Sequence, residues 1–381
     1  MNGPQAHWLE DGRRLHLNHG PIDLIVEAFG EEDERCAAYA QAVARFETIL
    51  TELVAELPRL RMPARSSVSA PDASPQGGGK SNVKIFSASA MQYPHPRLLP
   101  SRGRGMPASP ARSPSTESDR DNVAAESPSP LRGGVRGGGN DLAASSNLVG
   151  STARRMEAAV APMAEDAFIT PMAAVAGAVA DEVLAAMIAG RHLERAYVNN
   201  GGDSALHLEA GQSMRLAIAG TEHGLADRIT IHARDRVRGV ATSGWRGRSF
   251  SLGIADAVTV LARTGAEADA AATIVANAVD LPGHPAVMRQ PAHDLAPDSD
   301  LGGRLVTTGV GGLSSAEIAE ALERGFGVAE DLRRRGLIEA AALFLAGQSR
   351  ICGHMPVDDA AFAPLCPAEH PTRKIRERPH A

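Results

Sequence analysis

Asp269 and Thr273 stand four residues apart in the alanine-rich stretch Gly265-Ala-Glu-Ala-Asp-Ala-Ala-Ala-Thr273. On a helix that spacing stacks both side chains on one face, one turn apart. A carboxylate and a hydroxyl placed this way can present two oxygens to one hard cation such as Mg²⁺. Asp and Thr at this spacing also occur on ordinary helix surfaces, so the pair gains weight only from its surroundings.

Two other motifs carry ligand-binding chemistry. In Asn199-Asn200-Gly201-Gly202-Asp203, two glycines let backbone approach a ligand closely, and Asp203 can contact a ribose hydroxyl or an amide. The competing reading is a β-bulge or hairpin turn. In Thr242-Ser243-Gly244, hydroxyls and a glycine N–H at a strand end suit a phosphate or the polar edge of a flavin. Trp245, Arg246 and Arg248 follow at once and can add stacking and charge, although a polar turn with surface arginines reads the same way. Asp256 is a further acid near by. His284, in Asp-Leu-Pro-Gly-His-Pro, has the chemistry of a general base, but loop histidines are commonly structural. The chain holds no H-E-x-x-H, G-x-S-x-G, P-loop or G-x-G-x-x-G motif. The spacing identifies no general base.

The elements that must position these groups follow from the apolar pattern. Leu15 to Phe29 reads as a hairpin broken at Asn18–Pro21, and Asp33 to Leu57 as a helix ended by Pro58. Met172 to Ile188 is a small-residue helix after Pro171. Tyr197 to Leu208 reads as one strand kinked by the Asn-Gly-Gly-Asp motif. Further strands are expected at Leu216–Ala219, Ile229–Ala233, Gly239–Thr242, Ala257–Ala262 and Leu305–Val310. Helices are expected at Ala266–Val279 and at Ser314–Arg324, the latter opened by a capping box, with Gly327–Ala346 helical in pieces. Strands and helices interleave without a βαβ rhythm, which gives an α+β fold class, and no internal repeat is apparent.

Between about Arg65 and Gly150 the composition turns to Pro, Gly, Ser and Arg with almost no periodicity. Such a stretch cannot bury enough apolar surface to offset its chain entropy and is expected to be a disordered insertion. Its Arg-Gly clusters could bind RNA weakly, but composition favours a solvated insert. The expected organisation is residues 1–64 as hairpin and helix, 65–150 as the insertion, 151–352 as the rest of one domain, and 353–381 as a flexible tail.

At 381 residues and 43% apolar content the chain can bury a sizeable core, which at 3% aromatics must be aliphatic. A net charge of −6 argues against a nucleic-acid binder driven by bulk charge. Cys36, Cys352 and Cys366 are too few and too scattered for a disulfide framework or a thiolate metal site. The opening residues lack a signal-peptide core, and the apolar run Ala167–Ala180 is too short to cross a bilayer. A cytoplasmic protein with no membrane partner is expected.

The order of the motifs is more specific than any one of them. Tyr-Val-Asn-Asn-Gly-Gly-Asp203, then Ala-Thr-Ser-Gly244, then Ala257-Val-Thr-Val-Leu-Ala262 and Ala268-Asp-Ala-Ala-Ala-Thr273 resemble the ApbE superfamily of FAD:protein FMN transferases. Ala176-Gly-Ala-Val-Ala-Asp181 resembles that superfamily's K-G-Y-A-x-D helix less closely. The resemblance covers roughly Ala167–Asp280, its last piece matching best, and marks such as His19-Gly-Pro-Ile-Asp-Leu-Ile-Val26 and Asp280-Leu-Pro-Gly-His-Pro285 resemble a smaller ApbE-like group over nearly everything except the insert.

The resemblance implies metal-ligand positions at Asp269 and Thr273. It implies a flavin or related dinucleotide near Asn200, Gly201, Gly202, Asp203, Thr242, Ser243 and Gly244, with Mg²⁺ and FAD as cofactors. The implied reaction is attack of an acceptor-protein hydroxyl on FAD, releasing AMP and leaving linked FMN. Departures are visible too: Ala176 and Ala178 replace the family's Lys and Tyr, Trp245 and Arg246 replace its Asp and Tyr, and no H-I-I-D-P segment lies between Ser249 and Asp256. A non-catalytic flavin or nucleotide binder is the alternative. A different small-molecule enzyme using Asp256, His284, Asp298 and Asp300 is another.

Overall fold

The computed structural model describes residues 3–64, 148–217 and 228–355. The chain opens with three strands, β1 (Gln5–Trp8), β2 (Leu15–His19) and β3 (Ile22–Phe29), followed by the long helix α1 (Glu32–Leu60). Next come α2 (Ser151–Val160), a 3₁₀ turn at Pro171–Ala174, and α3 (Val175–Ile188). Strands β4 (Arg195–Asn200), β5 (Asp203–Leu208), β6 (Ser213–Ala217), β7 (Arg228–His232), β8 (Gly239–Ser243) and β9 (Ala257–Ala262) lead to α4 (Gly265–Ala278). The described part closes with β10 (Val287–Pro291), the short α5 (Ala292–Leu295), β11 (Leu305–Val310), α6 (Ser315–Arg334), β12 (Ala340–Leu345) and β13 (Gln348–Gly353).

Nine strands form one antiparallel sheet in the order β1-β2-β3-β4-β5-β8-β9-β12-β13, and β6-β7 and β10-β11 are separate hairpins. The α+β class holds. Side chains of a strand alternate between faces. In β9, Val258, Val260 and Ala262 enter the core shared with helices α1 to α4 and α6, whereas Ala257 and Leu261 enter a smaller core on the other face. That second core is closed by Met214, Ile229 and Ile231 of the β6-β7 hairpin. Burial on both faces explains why the central strands read as unbroken apolar runs.

The same property accounts for one misreading. Gly327–Ala346 is not helical in pieces: α6 runs to Arg334, Gly336 takes a left-handed φ of 70°, and Ala340-Ala-Ala-Leu-Phe-Leu345 is a strand buried along its whole length. A short apolar run has no periodicity to separate helix from strand. Pro58 does not end α1 either. The helix continues to the fully buried Leu60, because a proline in the last turn removes only one backbone bond. Tyr197–Leu208 is two strands, β4 and β5, joined at Gly201-Gly202, and of the strand expected at Leu216–Ala219 the last two residues lie outside the described ones.

The segment Pro171–Ile188 is long and apolar enough by composition to span a membrane, yet more than half of it is buried in this fold. It is the core helix packed between α1 and α4. Residues 65–147, most of the expected insertion, lie outside the described residues, as does the tail beyond 355. The two chain ends that flank that segment are fastened together. Glu56 of α1 accepts the Val149 and Gly150 N–H groups at 2.7 and 2.9 Å, just ahead of the first turn of α2. Arg45 of α1 pairs with Glu52 and with Glu182 of α3, and Glu182 also pairs with Arg155 of α2.

Candidate functional site

Helices α3 and α4 cross at their N-terminal turns. A Cβ on Gly177 would lie 2.1 Å from the Gly265 carbonyl oxygen, so the crossing requires glycine. Four residues after each glycine stands an aspartate, in Gly177-Ala-Val-Ala-Asp181 and Gly265-Ala-Glu-Ala-Asp269. Each aspartate serves the other helix. Asp181 accepts the Gly265 and Ala266 N–H groups, both at 2.8 Å. Asp269 accepts the Gly177 N–H at 3.0 Å and also bonds the Ala176 N–H. First-turn N–H groups lack intrahelical partners and carry the positive end of the helix dipole, which explains the attraction. This five-residue repeat is the internal repetition that the sequence reading missed.

The two aspartates differ in everything else around them. Asp181 has both carboxylate oxygens engaged and feels the positive charge of Arg155; burial still pushes it up to about 6. Asp269 has no basic group to offset it. Burial raises its pKa well above the ordinary carboxylate range, and the negative charges of Asp203 and Asp181 raise it further against the pull of the two N–H groups. Thr273, one turn on, is half-buried, and its hydroxyl makes no hydrogen bond with the described residues.

Asp203 reaches this place from the sheet. Gly201 and Gly202 adopt φ values of 64° and 126°, which turn β4 tightly into β5 and set Asp203 at the head of β5. Its Oδ1 accepts the Thr242 N–H at 3.0 Å, and burial pushes it up to about 7 despite that bond and the charge of Arg248. Asn200, on the other side of the turn, donates to the Ala176 carbonyl at 3.1 Å and so ties the turn to the start of α3. Asn200, Asp203, Thr242 and Asp269 therefore gather where the β4-β5 turn, the end of β8 and the two helix starts meet, with Thr273 one helical turn further along α4.

The Thr-Ser-Gly motif is less open than its composition suggests. The Thr242 hydroxyl is bonded to that of the buried Thr259 at 2.8 Å, and Gly244 is pressed against the Asp256 carbonyl. Ser243 keeps a hydroxyl unbonded among the described residues. Trp245 and Arg246 both bind the Asp256 carboxylate, whose other oxygen takes the Ala346 N–H, so Asp256 is committed to its turn. His284 is committed too, bonded to Glu317 at 2.9 Å and to the Ala286 N–H at 3.2 Å. Asp300 accepts from Thr170, and Asp298 lies exposed.

The donor set suits a hard cation. Two carboxylates whose charges oppose each other, with an unbonded hydroxyl one helical turn away, are the oxygen ligands that Mg²⁺ or Mn²⁺ prefers, with water or substrate oxygens completing the shell. Among the described residues no group of three or more His, Cys, Asp and Glu is placed to hold a metal, so Asp203, Asp269 and Thr273 would leave most of a cation's shell to water or substrate oxygens.

The sequence profile of the family described as AbpE bacteria matches residues 6–80 and 139–351. Among curated proteins, the chain is 40% identical over 116 residues to a UPF0280 protein of Methanopyrus kandleri, covering 30% of this chain and 45% of that protein. It is 41% identical over 114 residues to one of Methanothrix thermoacetophila, covering 29% and 46%, and 34% identical over 138 residues to one of Methanospirillum hungatei, covering 35% and 55%. The chain thus spans about half the length of the curated relatives it matches. Among solved structures, the Pseudomonas stutzeri flavinyl transferase ApbE in its apo form aligns with a TM-score of 0.26 and 17% identity, over 48% of this chain and 49% of that one.

Proposed function

The chain belongs to the AbpE bacteria family, and from that premise we propose that it binds Mg²⁺ through Asp269 and Thr273 and acts as a flavin transferase on FAD. One observation carries the reading. Of two aspartates in the same Gly-Ala-x-Ala-Asp setting, each accepting two backbone N–H groups, Asp181 feels the positive charge of Arg155, whereas Asp269 feels the negative charge of Asp203 and has an unbonded hydroxyl one helical turn away. A positive charge is what that half of the arrangement lacks.

A divalent cation bound there would supply the charge that stabilises a pyrophosphate as its bridging bond breaks. The protein's own groups do the rest. In the Gly201-Gly202 turn the open side of Gly202 lets a ligand approach the backbone, and Asn200 fixes that turn to α3. Asp203 holds the end of β8 by the Thr242 N–H, and the Ser243 hydroxyl is open to a flavin or nucleotide edge. The acceptor would be a Ser or Thr hydroxyl of a protein, in keeping with the resemblance of the motifs to FAD:protein FMN transferases. Incubation with FAD, Mg²⁺ and a threonine-bearing acceptor tests this: AMP release with a flavin-labelled acceptor supports transfer, and their absence removes it.

A second reading, a non-catalytic flavin or nucleotide binder, is favoured by the engagement of His284 and Asp256 in structural contacts, which takes both away as proton acceptors. Flavin binding without AMP release would select it.

A further inference from the structure

Between Gly244 and Arg248 the chain makes a tight turn, with the Gly247 N–H donating to the Gly244 carbonyl at 3.1 Å. Its two arginines meet different fates. Arg246 is spent on Asp256 at 2.7 Å and stacks on the Trp245 ring. Arg248 folds back across the β4-β5 turn: a Cβ on Gly201 would fall 1.8 Å from its Nη2 and 3.0 Å from its Cζ. The missing side chain at Gly201 is the space the guanidinium occupies. Arg248 is exposed and makes no hydrogen bond or close ion pair with the described residues, while its charge is felt by Asp203.

Resting on the reading of the site given above, we propose that Arg248 is the anion anchor of this site and selects ligands that carry a phosphate or pyrophosphate group. The guanidinium is seated on one side by the glycine turn and open on the other. It stands at the side of the site where Asp203 lies, and its fork of N–H donors matches phosphate oxygens. A cation held by Asp269 and Thr273 and a guanidinium resting on Gly201 would grip a pyrophosphate from two directions. A flavin without phosphate gains nothing from either. The arrangement also makes binding fall with ionic strength, as an exposed charge contact must.

The test is a binding titration of the full chain in Mg²⁺ with FAD, FMN, riboflavin and inorganic pyrophosphate, repeated with Arg248→Gln, Arg248→Lys and Gly201→Ala. The expected result is a loss of tenfold or more in FAD and pyrophosphate affinity for Arg248→Gln, partial retention for Arg248→Lys, and unchanged riboflavin affinity. Gly201→Ala should mimic Arg248→Gln by displacing the guanidinium. Equal FAD affinity in the parent and Arg248→Gln overturns the anchor while leaving the flavin reading intact. If the parent binds no flavin but binds pyrophosphate in an Arg248-dependent way, the anchor stands and the flavin reading falls. If the parent binds neither, both fall.

Discussion

Asp181 and Asp269 cap each other's helices: each sits four residues after a glycine and accepts the backbone N–H of the glycine that begins the other motif. The exchange fixes the crossing of α3 and α4 and leaves one of the twins beside Asp203. The candidate site is thus one half of a structural device, distinguished from the other half by its neighbours.

The crossing itself should be intolerant. Gly177→Ala puts a methyl group 2.1 Å from a backbone oxygen that no side-chain rotation can relieve. Overpacking of that kind costs about 1–3 kcal/mol or more. Urea unfolding should show that loss, together with weaker cation binding, since the N–H that holds Asp269 moves with Gly177. Parental stability in the Gly177→Ala protein would mean the helices do not approach as closely as described.

Stability should decline as pH rises from 5 to 8. Asp181 is raised from 3.8 to about 6 in the fold, so the folded state binds more protons than the unfolded chain between those values. Stability is then lost as pH climbs through about 6, by roughly 1–3 kcal/mol from this group. Asp203, raised to about 7, acts with the same sign. Glu317 and Glu330, lowered to about 2, contribute the opposite slope only below about pH 5, outside the window. Thermal unfolding of the parent and Asp181→Asn across pH 5 to 8 checks this: the substituted protein should show the flatter profile. Equal slopes would remove Asp181 from the explanation.

Much of this was legible in the chain and some of it could not be. Ala257–Ala262 and the helix carrying Asp269 and Thr273 follow from local pattern, because a buried strand and an alanine-rich helix declare themselves within a dozen residues. The Asn-Gly-Gly-Asp stretch was legible as a turn or bulge, and its positive φ values settle it as the β4-β5 turn. The reciprocal caps were not legible as contacts, since donor and acceptor lie 84 and 92 positions apart and the single signal is the echo of Gly-Ala-Val-Ala-Asp in Gly-Ala-Glu-Ala-Asp. In the sequence Arg248 is an adjunct of the Thr-Ser-Gly motif, and only the fold shows it resting on Gly201.

Residues 81–138 fall outside the family match, and both flanks of that segment are secured by α1 through α3. Replacing 81–138 by a short Gly-Ser linker should leave the melting temperature within about 3 °C, because loop length changes closure entropy only slowly, about 0.6 kcal/mol per doubling. Glu182→Ala should do more damage: it removes the carboxylate that joins α3 to Arg45 of α1 and Arg155 of α2, leaving Arg45 its pair with Glu52, at a cost of about 1–3 kcal/mol. Calorimetry of the two proteins should rank them in that order, and the reverse ranking would refute the clamp.

The most direct measurement is a Mn²⁺ titration, followed by the paramagnetic signal and competed with Mg²⁺, on the parent and on Asp269→Asn, Thr273→Val and Asp181→Asn, each checked for folding by circular dichroism. The account predicts one Mn²⁺ site in the parent, a loss of tenfold or more in affinity for Asp269→Asn, a smaller loss for Thr273→Val, and parental affinity for folded Asp181→Asn. Binding that survives Asp269→Asn unchanged, or that Asp181→Asn abolishes in a folded protein, would contradict it.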